Sequence, residues 1–285
     1  MVQALSKIAA TPDSAACRLL SFWDTIMATR FSVFLEVPTN EGGHTQAVAE
    51  EMFFEIRRLE SLLSRFVEDS EISQINRLRR GEEVIVSPET HRCLELALEA
   101  KQISRGRYDA AYLSQGVSSG TEAFALLSRP FRVMSLAESL QLDLGGIGKG
   151  FALERVSEIP VRYGYTKVLL CADGSTILAL DPPHGTKGWP VQWELDGKTG
   201  TLELANESIS CSGKTVRGEH IFDTQKRQYA TTRERVYVQM ASPALSDALS
   251  TAAMTMPERE KMELELRGCV KTGKIIISHL SPIGQ

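Results

Sequence analysis

The sequence has no C-x-x-C pair, no apolar run long enough to span a bilayer and no excess of positive charge. Its five cysteines (Cys17, Cys93, Cys171, Cys211 and Cys269) are far apart and odd in number. A disulfide framework or a zinc site is therefore not expected, and a reducing compartment is. Nothing approaches the roughly 20 apolar residues of a membrane span. Ser14-Ala-Ala-Cys17 faintly resembles a lipoprotein cleavage site. Lys7, Pro12 and Asp13 break the apolar run of about 7–15 residues that a signal peptide requires. A cytoplasmic protein is expected, with residues 1–20 forming a helical or frayed start. A net charge of −4 leaves no basic footprint for nucleic acid. Two phosphate motifs are also missing. Lys149 is followed by Gly150 and no glycine precedes Gly148 at P-loop distance, while Gly146, Gly148 and Gly150 are too evenly spaced for G-x-G-x-x-G.

What is present is an ordinary globular composition. Of 285 residues, 42% are hydrophobic and 24% charged, enough for one large domain or two smaller ones. Phe31 to Val37 has strand composition. Val48, Met52, Ile56, Leu59 and Leu63 recur at helical spacing, an amphipathic helix of about five turns. Glu82 to Val86 reads as a short strand. Ser87-Pro88 opens a second helix through Ile103, with serine as the cap and proline in the first turn. Gly116 to Arg129 is poorly patterned and is expected to be loop or short helix. Lys167 to Cys171 is a buried-type strand, and Asp196-Gly197 joins the hairpin Val191–Leu195 and Gly200–Leu204. Arg235 to Met240 is a strand, Ser242-Pro243 opens a helix, and Gly273 to Ser278 is a closing strand. Helices and hairpins without a βαβ repeat favour α+β.

Two segments carry chemistry. Asp143-Leu-Gly-Gly-Ile-Gly-Lys-Gly150 combines an acid, four glycines and a lysine, then runs into a good helix. Glycines admit close backbone approach, and helix-opening N–H groups with a lysine favour an anion. In the helix after Pro243, Asp247 and Thr251 are four apart and share a face. A carboxylate beside a hydroxyl suits a hard cation that also takes carbonyl, water and phosphate oxygens. A solvated polar stripe is the plainer account of that helix taken alone. Ser246 falls off the Asp247/Thr251 face. His220, in Glu219-His-Ile-Phe-Asp223, is a candidate for proton transfer or an ordinary structural histidine. Asp109 reads most simply as a turn aspartate, Ser70 and Asn76 as a helix cap and helix end, and Cys211 as a buried thiol.

Together and in this order, the segments resemble the FAD:protein FMN transferases, the ApbE-type flavin transferases. The resemblance runs through Met27-Ala-Thr-Arg-Phe31, Ser64-Arg-Phe66, Asp69 to Asn76 and Gly106-Arg-Tyr-Asp109. It continues through Asp143 to Gly150, Cys211-Ser-Gly213, His220-Ile-Phe-Asp223 and Ser246 to Thr251. It implies an α+β fold of ApbE-like (T-fold-like) mixed sheets with packed helices. A domain over 25–285 would follow an N-terminal extension over 1–24. It implies that Mg²⁺ is held by the Gly146 carbonyl, Asp247 and Thr251. FAD would be contacted by Met27, Phe66, Arg107, Tyr108, Asp109, Asp143, Lys149 and Ile221, with His220 and Asp247 as catalytic candidates. The implied reaction moves FMN from FAD to a threonine or serine hydroxyl of an acceptor protein and releases AMP. Hydrolysis of FAD to FMN and AMP, and flavin binding without turnover, are the alternatives. This chain also departs from the family pattern. Ala28 replaces a glycine, Cys211 a threonine, Asp173-Gly-Ser175 stands at a Gly-Gly pair, and Thr224-Gln-Lys-Arg227 replaces Pro-x-Thr-Gly.

Overall fold

The computed structural model describes residues 3–4, 17–40, 43–117, 121–195, 198–213, 222–226, 228–229, 235–257 and 275–277. Strand β1 (Gln3–Ala4) is followed by β2 (Cys17–Ile26) and β3 (Thr29–Pro38), then helices α1 (His44–Leu63) and α2 (Glu71–Ile75). Strand β4 (Glu83–Ile85) leads to α3 (Pro88–Ile103), β5 (Phe124–Ser128), β6 (Phe131–Ser135), α4 (Gly148–Val156) and α5 (Glu158–Arg162). Next come β7 (Val168–Ala172), β8 (Thr176–Ala179), β9 (Trp189–Leu195), β10 (Lys198–Leu204) and β11 (Glu207–Ser212). The chain continues with β12 (Phe222–Asp223), β13 (Gln228–Tyr229), β14 (Val236–Met240), α6 (Pro243–Ala253) and β15 (Ile275–Ile277).

The frame is a seven-stranded sheet in the order β15-β14-β11-β8-β7-β3-β2. Side chains alternate across it, so both faces must be covered. Val33, Leu35, Val168, Leu170, Leu178, Val236 and Val238 join a core containing Val48, Met52, Ile56 and Leu59 of α1, Phe151 of α4 and Leu249 of α6. The opposite set, Leu169, Cys171, Ile177, Ala179, Ile209 and Tyr237, packs with Trp189 and Val191 of β9 and Leu204 of β10. All five residues of β7 are buried, which is why Val168–Ala172 lacks the polar alternation of a one-sided strand. Smaller sheets β4-β6-β5 and β1-β9-β10 and the β12-β13 pair complete the α+β architecture.

Several elements follow from local chemistry. Ser87 Oγ accepts from Thr90 N at 3.2 Å and caps α3, and Pro88 sits in its first turn. Ser70 Oγ accepts from Ser73 N at 2.9 Å and caps α2. Strands β2 and β3 pair over ten residues, closing on Ile26 and Thr29. Met27 and Ala28 form the two-residue turn between them, at φ 51° and 53°, the left-handed pair of a type I′ hairpin.

Two expectations are corrected. The start is not helical in the part described: β1 is a strand, and β2 begins at Cys17. The stretch expected to be loop or short helix contains β5, paired with β6 from Phe124–Ser135 to Ser128–Phe131. Its apolar residues lack a clean period, and its strand character comes from that partner. The Asp196-Gly197 turn lies outside the described residues.

Candidate active site

The glycine segment is anchored before it turns. Asn76 donates to the Leu142 carbonyl at 3.0 Å and accepts from Leu142 N at 2.6 Å, so the residue read as a helix end pins the chain beside Asp143. Asp143 Oδ1 accepts from Gly145 N at 2.9 Å, while its Oδ2 lies 3.4 Å from both Tyr112 Oη and Arg65. Arg65 stacks over Phe66, whose ring is 85% exposed. Tyr112 in turn packs on Phe222, with ring centroids 4.9 Å apart.

Helices α4 and α6 cross at a glycine. A Cβ on Gly150 would meet the Pro243 carbonyl oxygen at 2.1 Å and Asp247 Cβ at 2.9 Å. Only a bare backbone permits that approach, and it puts Gly150 N 3.2 Å from Asp247 Oδ2. Lys149 Nζ reaches the same oxygen at 3.6 Å and donates to the Gly145 carbonyl at 3.0 Å. Ser175, in the turn between β7 and β8, donates to Asp247 Oδ1 at 3.1 Å. Asp247 is 2% exposed. A buried carboxylate needs partners of this kind.

Thr251 follows one turn later. Its Oγ1 donates to the Asp247 carbonyl at 3.3 Å and lies 3.4 Å from Ser212 Oγ. A Cβ on Gly146 would stand 3.1 Å from that Oγ1 and 3.2 Å from the Tyr108 ring. Tyr108 is buried and its hydroxyl has no hydrogen-bond partner among the described residues. Burial first, then Cys93 and the carboxylates of Asp247, Asp143 and Asp109, pushes its ionisation well above the ordinary range.

The structure therefore brings Gly146, Lys149, Asp247, Thr251 and Tyr108 together, with Asp143 in the adjoining turn. Two other candidates are engaged elsewhere. Arg107 is buried, donates to the Thr255 carbonyl at 3.1 Å and lies 3.9 Å from Asp223. Asp109 accepts from Ala111 N at 2.9 Å, as a turn aspartate does, and pairs with Lys101 at 3.0 Å. Met27 N donates to Glu60 Oε1 at 3.0 Å. The same hairpin touches the Ser175 turn through Thr29 Oγ1 and the Asp173 carbonyl, 3.1 Å apart. His220 and Ile221 lie outside the described residues. Cys211 is buried, and that burial raises its thiol, in keeping with an inert side chain.

A polar stripe facing solvent is excluded for α6, because Ser246, Asp247 and Ser250 are all buried. Ser246, expected to be off the working face, bonds Ser210 at 2.6 Å and Ser208 at 3.1 Å. Residue spacing alone missed Ser175, Ser212, Arg65 and Tyr112. That Asp173-Gly-Ser175 stands where a Gly-Gly pair is usual was the one available signal for Ser175.

The ApbE family model matches residues 27–269, a span containing every candidate residue placed above. The chain belongs to the ApbE family. Solved structures of similar fold include the flavin transferase ApbE from Vibrio cholerae, at TM-score 0.77 and 18% identity over 92% of this chain and 97% of that one. The apo flavinyl transferase ApbE from Pseudomonas stutzeri matches at TM-score 0.79 and 19% identity over 93% of each chain. An ApbE protein from Thermotoga maritima matches at TM-score 0.75 and 20% identity, over 91% of this chain and 94% of that one. No curated protein matches the sequence significantly. At these identities the likeness establishes the fold, and this chain's chemistry rests on its own residues.

Those residues suit a hard divalent cation. The Thr251 hydroxyl lies beside Gly146, main-chain carbonyls are at hand, and the Asp247 carboxylate belongs to the preceding helical turn, so every donor is oxygen. Among the described residues no three His, Cys, Asp or Glu side chains converge, so remaining ligands would come from water and a phosphate-bearing substrate. No helix among the described residues is long and apolar enough to cross a membrane.

Proposed function

We propose that this chain is a Mg²⁺-dependent flavin transferase that moves FMN from FAD to a threonine or serine hydroxyl of an acceptor protein and releases AMP. The observation that carries the reading is the buried Asp247 carboxylate. It is held by Gly150 N and Ser175 and lies one helical turn from Thr251, which packs on Gly146. Asp247, Thr251 and the Gly146 carbonyl would hold the cation, which when bound neutralises charge on the pyrophosphate oxygens.

The chain's own residues divide the remaining work. Lys149, displaced from Asp247 Oδ2, offers its ammonium to a phosphate oxygen, whereas the N–H groups of Gly148, Gly150 and Phe151 at the start of α4 are taken by Leu144, Asp247 and Ile147. Met27, Phe66, Tyr108, Asp143 and Ile221 would contact FAD. Arg107, tied to Asp223, and Asp109, tied to Lys101, shape the wall behind them. In the transfer step a bond forms between the acceptor hydroxyl oxygen and the FMN phosphorus, and the bond from that phosphorus to the oxygen leaving with AMP breaks. His220 is the proposed carrier of the hydroxyl proton. A cytoplasmic location belongs to the same reading and rests on the scattered cysteines, of which Cys17, Cys93, Cys171 and Cys211 are free thiols.

Incubation of the purified protein with FAD and Mg²⁺, with and without a candidate acceptor, tests the reading. AMP released only with acceptor supports transfer. AMP released without acceptor makes the protein an FAD pyrophosphatase, and bound FAD without AMP makes it a flavin-binding protein.

A further inference from the structure

The Ser175 hydroxyl has a role beyond completing a turn. A carboxylate only accepts hydrogen bonds, so the Ser175 proton is committed to Asp247 Oδ1 at 3.1 Å. Ser175 Oγ is then left as an acceptor, 3.4 Å from Thr176 Oγ1. Thr176 in turn accepts from Ser210 at 3.0 Å, and Ser210 lies 2.6 Å from Ser246. Ser246 Oγ also lies 3.1 Å from the Pro243 carbonyl, so its proton has two acceptors within reach. Ser208 has the Met240 carbonyl at 2.7 Å as its own acceptor. Thr176, Ser208, Ser210 and Ser246 are all completely buried. Contacts of hydrogen-bond length thus connect the hydroxyls of Ser246, Ser210, Thr176 and Ser175 to one carboxylate. Hydroxyls linked this way polarise one another.

We propose that Ser175 is a positioning residue for Asp247. With the buried hydroxyl chain behind it, Ser175 fixes Oδ1 so that Oδ2 is presented beside Gly150 N and Lys149. The proposal rests on the cation site described under Proposed function and assigns to this chain's own Ser175 a task that a glycine at that place cannot perform. Without the hydroxyl, Oδ1 loses its donor and the carboxylate can rotate about its last torsion, which has no sharp preference.

The test is Mg²⁺ titration by calorimetry of the full chain, without flavin, for the wild type and for Ser175→Ala, Ser175→Thr and Ser246→Ala. Ser175→Ala is expected to weaken Mg²⁺ binding about tenfold, Ser175→Thr to restore most of it, and Ser246→Ala to weaken it by a smaller factor. A merely structural hydroxyl would lower the melting temperature in Ser175→Ala and leave Mg²⁺ affinity unchanged, and that result overturns the proposal. If the wild type binds no Mg²⁺ without flavin, the protein ligands alone do not make a cation site. Crystal structures of metal-free wild type and Ser175→Ala then decide the positioning role. A reoriented Asp247 side chain in the variant supports it, and an unmoved one overturns it.

Discussion

Lys149 Nζ lies 3.6 Å from Asp247 Oδ2, so the lysine of the glycine segment is the counter-charge of a carboxylate almost closed to solvent. An ammonium at that distance opposes entry of a second cation. Lys149→Met is therefore expected to tighten Mg²⁺ binding about three- to tenfold while weakening FAD binding, because the phosphate loses its ammonium. Calorimetric titration with each ligand checks the opposite signs. Parallel weakening of both would mean that Lys149 supports the cation site instead of competing for it.

Gly150→Ala forces a methyl group to 2.1 Å from the Pro243 carbonyl oxygen, and neither helix backbone can yield without moving Asp247. A loss of about 1–3 kcal/mol or more is expected in urea unfolding, together with loss of Mg²⁺ binding. Gly148→Ala, two residues earlier, meets nothing within 4 Å and should leave stability unchanged or raise it by up to about 1 kcal/mol. Equal effects of the two would remove the close crossing of α4 and α6 as the explanation.

Asp247→Asn replaces an acceptor of two hydrogen bonds by a group that must turn an N–H toward either Gly150 N or Ser175. A loss of about 1–3 kcal/mol of stability is expected, with Mg²⁺ affinity reduced at least about tenfold. Thr251→Val removes a neutral oxygen and should cost less on both counts. If α6 merely presented a solvated stripe, both changes would stay within about 0.5 kcal/mol. Denaturation and Mg²⁺ titration on the same samples separate the two accounts.

Tyr108 buries a hydroxyl without a hydrogen-bond partner among the described residues. Tyr108→Phe should accordingly hold or raise the stability of the ligand-free protein, by up to about 1 kcal/mol. A loss of stability in thermal melts would show that the hydroxyl is already satisfied.

How far the sequence reveals this site depends on where each residue's partner lies along the chain. Helix α1 was legible because its cause is local: Val48, Met52, Ile56, Leu59 and Leu63 recur on one face, and all five are buried. The capped starts of α2 and α3 were legible for the same reason. The burial of Ser246 and Ser250 was not. Each hydroxyl reaches a carbonyl one turn back in its own helix, Pro243 for Ser246 and Asp247 for Ser250, but what buries them is β11, whose Ser208, Ser210 and Ser212 are more than 30 residues away in sequence. Asp247 and Thr251 could be placed on one face by spacing, but their contacts with Gly150 and Gly146 depend on how two helices cross. Strand β5 was hidden because its apolar residues have no period until β6 lies beside them. Arg107 shows the reverse limit. A cation in a matching motif invites a ligand, whereas in the fold Arg107 lies 3.9 Å from Asp223 and donates to the Thr255 carbonyl.

The hairpin tip at Met27 and Ala28 holds two side-chain-bearing residues in a left-handed conformation, each at a cost of order 1–3 kcal/mol. Its shape is imposed by the ten pairs of β2 and β3 on one side and by Glu60 on the other. A loop bent by its neighbours, and not by its own sequence, can exchange side chains without changing its path. Position 27 therefore works as a fixed mounting point beside the Asp173–Ser175 turn. Whatever residue stands there is displayed from the same place, and it can be exchanged without disturbing the sheet that holds it.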